Sequence, residues 1–440
     1  MASRSGASMA FLAALAFFLV PCRLAALPPE PPPAADSDDA LLDAIQRAAF
    51  GFFRDEAHPG NGLVRDRSRP DSKCSIAAVG FGLSTWCMAV ERGWASRQEA
   101  AQRVDATLQT FLRGPQGPQA AQVMGHRGWF YHFLEMDTGL RAWKCELSSI
   151  DTALFLAGAL DASVFFDQPT AIERRIRKTA DALLARVDWR WMCNGADVLS
   201  MGWHPEKGFI PRCWVGYNEA MILYLLALGT DARPLPATAW EGWTRGYLIA
   251  SHHGQRYVDF PPLFGHQYSH CWIDFRGITD PWMRTAGWDY FENSRRAVLA
   301  QRAYCIENPL RHAGYGPTLW GITACDGPNG YAARGAPPAE NDDGTLAPTA
   351  VVASLPFAPE VVLPTLRALH RDWGTRLWTR YGYRDAFNPG KQWVAEDVLG
   401  IDQGPMALMI ENHRTGATWR RMSSHPVIQR GLRRAGFSTR

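Results

Sequence analysis

The 440 residues carry 46 Lys and Arg against 43 Asp and Glu, a formal net charge of +3 with the signs interspersed. No basic block forms a nucleic-acid groove, which excludes nucleic acid as the partner; the basic stretch 430–440 is read as a solvated tail. Hydrophobic residues make up 47% of the chain and Trp occurs 18 times, which supplies a sizeable core. Rings set among polar residues still need a reason beyond core filling.

Arg4 followed by the apolar run 9–20 reads as a signal peptide over 1–26, with cleavage near Ala25 or Ala26. The run is short for a membrane span. The chain is therefore expected to be periplasmic or secreted, without stable membrane insertion once the signal is removed. Residues 27–36 read as a Pro/Ala-rich linker, and 37–440 as a single domain.

Helical periodicity then dominates. Ser37 caps a helix with Leu42, Ile45, Ala49, Phe52 and Phe53 on one face. Further helices are predicted at 75–91, 96–112, 148–166, 169–187, 218–228, 237–250, 284–305, 347–355, 359–370 and 405–415, about eleven in all. The 218–228 segment is apolar nearly all round, as an inner helix is. Short strands are predicted within 125–134 and 207–215. Buried helices alternating with amphipathic ones favour an all-α closed ring of helical hairpins over a bundle. Its long loops would gather at one end and build a site there. Of nine cysteines, Cys22 falls in the signal segment, and the even number left permits disulfides in an exported chain. At least half of them read as buried thiols.

From Phe264 the chain runs Phe264-Gly265-His266-Gln267-Tyr268-Ser269-His270-Cys271-Trp272-Ile273-Asp274-Phe275 and on to Trp282 and Trp288. Neither helical nor strand periodicity sorts its rings from its polar groups. Rings beside hydroxyl-binding side chains suit a sugar, whose C–H faces stack on aromatics while its hydroxyls bond to amides and carboxylates. His266, Gln267 and Trp288 are therefore candidate sugar contacts. Ser269 lacks the glycines of a nucleophile elbow. His266 and His270 lack the His-Glu-x-x-His pattern of a zinc site, and no C-x-x-C pair occurs. No phosphate or dinucleotide loop is present. The reading is of a site without metal or cofactor.

Glycoside hydrolysis needs two carboxyl groups flanking one bond. Glu219 opens an otherwise apolar helix beside Trp214 and Tyr217, where burial would raise its pKa as a proton donor requires; a helix-dipole role is the plain alternative. Asp402 lies in Gly400-Ile401-Asp402-Gln403-Gly404-Pro405, where glycines let the backbone approach a ligand; a cap is the plain alternative. Glu396 and Asp397 stand close by as alternates. Asp151, with Ser148, resembles a capping box. Glu146, preceded by Arg141 and Trp143, is less easily explained by structure alone. Trp203 and His204 form a further polar aromatic pair.

Six segments resemble one family. They are Ser149-Ile150-Asp151-Thr152-Ala153-Leu154, Gly216-Tyr217-Asn218-Glu219-Ala220, Phe264 through His270, Trp272 through Gly277, Gly400 through Pro405, and Ile410 through Gly416. In that order they resemble the glucoamylase-like proteins of glycoside hydrolase family 144, over roughly 41–437. The resemblance implies an (α/α)6 toroid and endo-acting, inverting hydrolysis of β-1,2-glucan without metal or cofactor; the chain is expected to be a monomer. It implies Glu219 as general acid and Asp402 as general base, with proton transfer direct or through a sugar hydroxyl or water. Asp151 and Glu146 would hold sugar hydroxyls or support the catalytic pair, with Trp203, His204, Tyr217 and Glu396 as further substrate contacts. A transglycosylase of the same fold and a non-catalytic glucan-binding protein are the alternatives.

Overall fold

Two kinds of helix alternate along the chain, and their polarity sets their layer. Ile76–Glu91, Ser149–Phe165, Met221–Gly229 and Gly400–Arg414 are buried over almost their whole circumference. Asp38–Asp55, Arg97–Arg113, Ala171–Arg186 and Pro359–Leu377 bury one face and expose a charged one, as outer helices do. Serine or threonine starts many of them: Ser75, Ser96, Ser148 and Thr170 each accept the backbone N–H three residues on. Such a cap contributes about 1 kcal/mol. The computed structural model describes residues 27–439. The segment read as a signal peptide lies outside the described residues.

The inner helices close a ring. Ile76–Glu91 packs against both Ser149–Phe165 and Gly400–Arg414, and Ser149–Phe165 packs in turn against Met221–Gly229. Two glycines make the crossing of Ile76–Glu91 with Ser149–Phe165 a close one. A Cβ on Gly158 would sit 1.9 Å from the Gly80 carbonyl oxygen, and one on Gly80 would sit 2.3 Å from that of Leu154. Beyond Met221–Gly229 the inner position passes to the tract around Ser269, folded as the short 3-10 turns Leu263–His266 and Ser269–Cys271. Gln267 Nε2 then donates to Ala350 O at 2.8 Å, in the short inner helix Pro348–Val352. That helix packs on Gly400–Arg414 and completes the (α/α)6 toroid.

The two ends of the ring differ. Helices Ala417–Ser424 and Pro426–Arg434, absent from the sequence reading, cover the C-terminal ends of the inner helices. Arg421 pairs with Glu91 at 2.9 Å and Asp161 at 2.6 Å, while Arg430 donates to Gly229 O at 2.8 Å and Arg434 to Leu228 O at 2.5 Å. Cations on terminal carbonyls complement the helix dipole. Part of the stretch read as a solvated basic tail is thus a structural cap. The N-terminal ends of the inner helices face the opposite way, and there the long loops gather.

Three elements differ in kind from the sequence reading, and two helices in length: Pro359–Leu377 runs past 370 and Gly400–Arg414 starts before 405. The segment 284–305 is not one helix: Gly287, at φ 90°, ends Pro281–Ala286, and Asp289 caps a new helix, Tyr290–Glu307. The segment 237–250 gives only Thr238–Thr244, then a hairpin of Ile249–His252 with Gln255–Val258. Gly202–His204 pairs with both Leu147–Ser148 and Gly208–Phe209, so strand starts before 207. Residues 27–36 form neither helix nor strand and are tied to the end of Pro359–Leu377, with Glu30 N–H on Trp378 O at 3.0 Å. The eight cysteines among the described residues are all free thiols, none in a disulfide. No helix among the described residues is long and apolar enough to cross a membrane.

Candidate active site

A cavity of about 460 Å³ opens at the loop-bearing end. Its walls come from the N-terminal ends of the inner helices and the loops that enter them. Ser75 caps Ile76–Glu91, Asp151 lies in the first turn of Ser149–Phe165, Glu219 stands just before Met221–Gly229, and Asp402 lies in the first turn of Gly400–Arg414; all line the cavity. Phe264, Tyr268, Phe133 and Tyr331 provide ring surface in the same walls.

A stiff turn presents Glu219. Gly216 takes φ 88°, which favours glycine, and its N–H donates to Trp243 O at 2.9 Å. Asn218 Oδ1 accepts from Ala220 N–H at 3.0 Å, and Ser269 Oγ donates to the Glu219 carbonyl at 2.9 Å. The Glu219 carboxyl reaches the cavity but little other solvent. Burial pushes its pKa up to about 7; a bond to its own backbone opposes the shift and the nearby Asp151 charge adds to it.

His132, also in the wall, joins Asp151 to Glu146. Its Nδ1 lies 2.9 Å from Glu146 Oε1 and its Nε2 lies 3.6 Å from Asp151 Oδ2. Burial alone would lower its pKa, but the two carboxylates outweigh that and hold it at about 9, so the ring is an imidazolium at neutral pH. Burial also acts to raise the Glu146 pKa, but the bond to His132 leaves it lowered. Ser148 Oγ bonds to Asp151 Oδ2. Phe133 stacks on His132, centroids 3.9 Å apart at 13°.

A further part of the wall is a cluster of acids around Arg67. Arg67 Nη1 lies 3.0 Å from both Asp326 and Asp397, and Nε lies 3.3 Å from Asp66. The N–H of Asp326 donates to Asp385 Oδ2 at 2.8 Å. Asp385 Oδ1 and Asp402 Oδ2 are buried with no N–H or O–H donor in the protein. Burial and then the charge of Asp385 push the Asp402 pKa far above the usual carboxylate range, and burial pushes that of Asp385 up to about 7. Like charges in one site cannot both ionise freely, so the two carboxyls titrate as a coupled pair.

Several candidates from the sequence lie elsewhere. Tyr217, His266, Gln267 and Trp288 are buried in the core and do not line the cavity. Tyr217 stacks on Tyr290 at 6.0 Å. His266 Nε2 bonds to Phe260 O at 3.0 Å, and burial drops its pKa to about 4. Gln267 is the strut to Ala350, and Trp288 Nε1 donates to Asn293 Oδ1 at 3.1 Å. Each of these side chains bonds to or stacks on protein, although His266 Nδ1 is buried without a partner. Trp203 and His204 sit half-buried on the short strand beside Trp191, outside the cavity. Glu396 is 64% exposed in a 3.7 Å pair with Arg69, and Asp397 is tied up by Arg67 and Arg69. Glu146 acts on the cavity only through His132. The sequence reading missed His132, Asp66, Arg67, Asp385 and Tyr331. Only Trp129-Phe130-Tyr131-His132-Phe133 carried a signal, the same mixing of rings with a His that drew attention to the tract.

Acids and rings at the open end of a helical double ring define a toroid built to bind and process carbohydrate. The family model described as "Putative glucoamylase" matches residues 212–426. A protein of the same description from Bacteroides uniformis is 33% identical with TM-score 0.85, covering 92% of this chain and 99% of that one. An endo-β-1,2-glucanase from Chitinophaga pinensis is 29% identical with TM-score 0.84, covering 92% and 99%. A curated exo-β-1,2-glucooligosaccharide sophorohydrolase from Parabacteroides distasonis is 32% identical over 433 residues, covering 90% of this chain. The chain spans 58% of that protein's length. The chain belongs to the glucoamylase-like family.

Proposed function

We propose that the protein hydrolyses β-1,2-glucan by inverting general acid–base catalysis. One observation carries the reading: Glu219 and Asp402, far apart in sequence, line one cavity, where burial raises the pKa of Glu219 as a lone carboxyl and that of Asp402 beside a second carboxyl, Asp385. Glu219 is held protonated near neutrality and is the proton donor to the leaving oxygen. The Asp402–Asp385 pair carries the negative charge that takes a proton from water. Asp385, with the Asp326 N–H and Arg67 near it, is the partner better able to hold charge, so the pair acts as a unit. In an inverting enzyme the acid and base lie about 6.5–9.5 Å apart, leaving room for the attacking water. Asp151, fixed by Ser148 and His132, is placed to accept sugar hydroxyls.

Endo action is supported by the Chitinophaga pinensis protein, which this chain matches over 99% of its length. The relative named for exo action has extensive sequence outside the match. The apolar run after Arg4 supports work outside the cytoplasm, and a monomer is proposed as the working unit. Cell fractionation and sedimentation test those two points.

The test is release of reducing ends from β-1,2-, β-1,3-, β-1,4- and α-1,4-glucans, with products sized by mass. Hydrolysis confined to the β-1,2 polymer, with E219Q and D402N each slower by at least about a hundredfold, is expected. Lengthened or cyclic glucan would mark a transglycosylase instead. Binding without turnover would mark a carbohydrate-binding protein.

A further inference from the structure

We propose that Trp143 is a stacking platform for a glucosyl unit lying outside the cavity, on the His132 side. The inference rests on the reading of the site as a β-1,2-glucanase.

Trp143 is 65% exposed and its backbone takes φ 52°, in the left-handed region. Large residues avoid that region unless their surroundings impose it. Here they do. Buried Arg141 places Nη1 and Nη2 on Glu206 at 2.6 and 3.1 Å, Nε on Cys145 O at 2.8 Å, and its guanidinium 4.6 Å above the Tyr131 ring. Ala142 N–H donates to Phe133 O at 3.0 Å, and Phe133 N–H reaches Cys145 Sγ at 3.4 Å. Both flanks of Trp143 are therefore pinned while its ring is turned outward. Core filling does not explain an exposed ring, and a loose loop does not explain fixed flanks.

The ring also continues the site. Trp143 meets Phe133 edge to face at 5.1 Å, and Phe133 stacks on His132. Phe133 and His132 both line the cavity. Aromatic surface thus runs unbroken from the partner of Asp151 out to Trp143. A glucan longer than the cavity must cross its rim, and a pyranose face laid on a fixed, exposed indole buries apolar surface at little cost in side-chain order. Exposed Lys144 stands next in the chain as a donor to hydroxyls.

The experiment compares W143A and W143F with the unmutated protein on long β-1,2-glucan and on the shortest oligosaccharide it cleaves. For W143A the ratio of kcat/KM on long over short substrate should fall about tenfold, through KM. W143F, which keeps a ring, should stay within about threefold. Equal losses on both substrates, or no change in the ratio, would overturn the platform while leaving the glucanase reading intact. An unmutated protein that cleaves no β-1,2-glucan of any length overturns both.

Discussion

Ser269 Oγ accepts the N–H of Ile222 at 3.0 Å and donates to the carbonyl of Glu219 at 2.9 Å. One hydroxyl from the aromatic tract thereby spans the start of the Met221–Gly229 helix and fixes the residue that carries the proposed acid. The tract serves the site mainly as this kind of support: of its rings, only Phe264 and Tyr268 reach the cavity. S269A would leave a buried N–H and carbonyl unpaired, at a cost of about 1–3 kcal/mol. A lower Tm is expected, together with reduced kcat and little change in KM, because Glu219 is misplaced rather than substrate lost. Unchanged kcat would show that the helix start holds Glu219 without this bond.

The protonation of Glu219 sets a pH limit. Its pKa is raised to about 7 by burial, with the Asp151 charge adding. A general acid works while protonated, so kcat/KM should fall as pH rises through about 7. Removing the Asp151 charge takes away one cause of the increase. In D151N the basic limb of the profile should therefore move to lower pH, on top of any loss of substrate contact. A limb that stays in place, measured on the same substrate, would mean another group controls it.

Asp385 and Asp402 should behave as one unit. If the two carboxyls share a proton and jointly supply the base, removing either abolishes the arrangement, and removing both costs little more. D385N, D402N and the double variant are expected to lose kcat to a similar extent, each by at least about a hundredfold. Additive losses would assign them separate roles. A mild effect of D385N would return the base to Asp402 alone.

His132 carries a stability signature. Its folded pKa, about 9, is above the ordinary histidine value because Asp151 and Glu146 face it, with Asp66 nearby. A raised folded pKa contributes stability that is full below the unfolded value, about 6.5, and is lost as pH rises through about 9. The Tm gap between the unmutated protein and H132Q should therefore narrow from pH 6 to pH 9. A gap independent of pH would mean the ring acts by packing alone.

The sequence made the layers legible where periodicity was strong and the acids legible where they begin apolar helices. Glu219, Asp402 and Asp151 all sit at such starts, and the ring brings those starts to one cavity. Asp385, Asp66 and Arg67 come from loops with no period, and only the closed ring makes them neighbours. Tyr217, His266, Gln267 and Trp288 were misread for a physical reason. Mixed rings and polar groups mark a ligand site, but they equally mark an irregular buried segment whose polar atoms bond to protein, as Gln267 does with Ala350 and Ser354. The break at Gly287 was legible as a glycine but not as a stop, since only its φ of 90° shows that the helix ends there.

A close crossing in the ring offers the last test. Gly80 and Gly158 let Ile76–Glu91 and Ser149–Phe165 approach until a Cβ on Gly158 would fall 1.9 Å from a backbone oxygen. That atom belongs to an inner helix and cannot swing aside as a flexible side chain would. Helix propensity alone would make G158A stabilising by about 1 kcal/mol. The clash has the opposite sign, and overpacking typically costs about 1–3 kcal/mol or more, so the clash wins and Tm should fall. Because these two helices also carry Ser75 and Asp151 into the cavity wall, the separation forced on them should lower activity at temperatures where the variant remains folded. A G158A protein as stable and as active as the unmutated one would mean that the helices do not meet as closely as the ring requires.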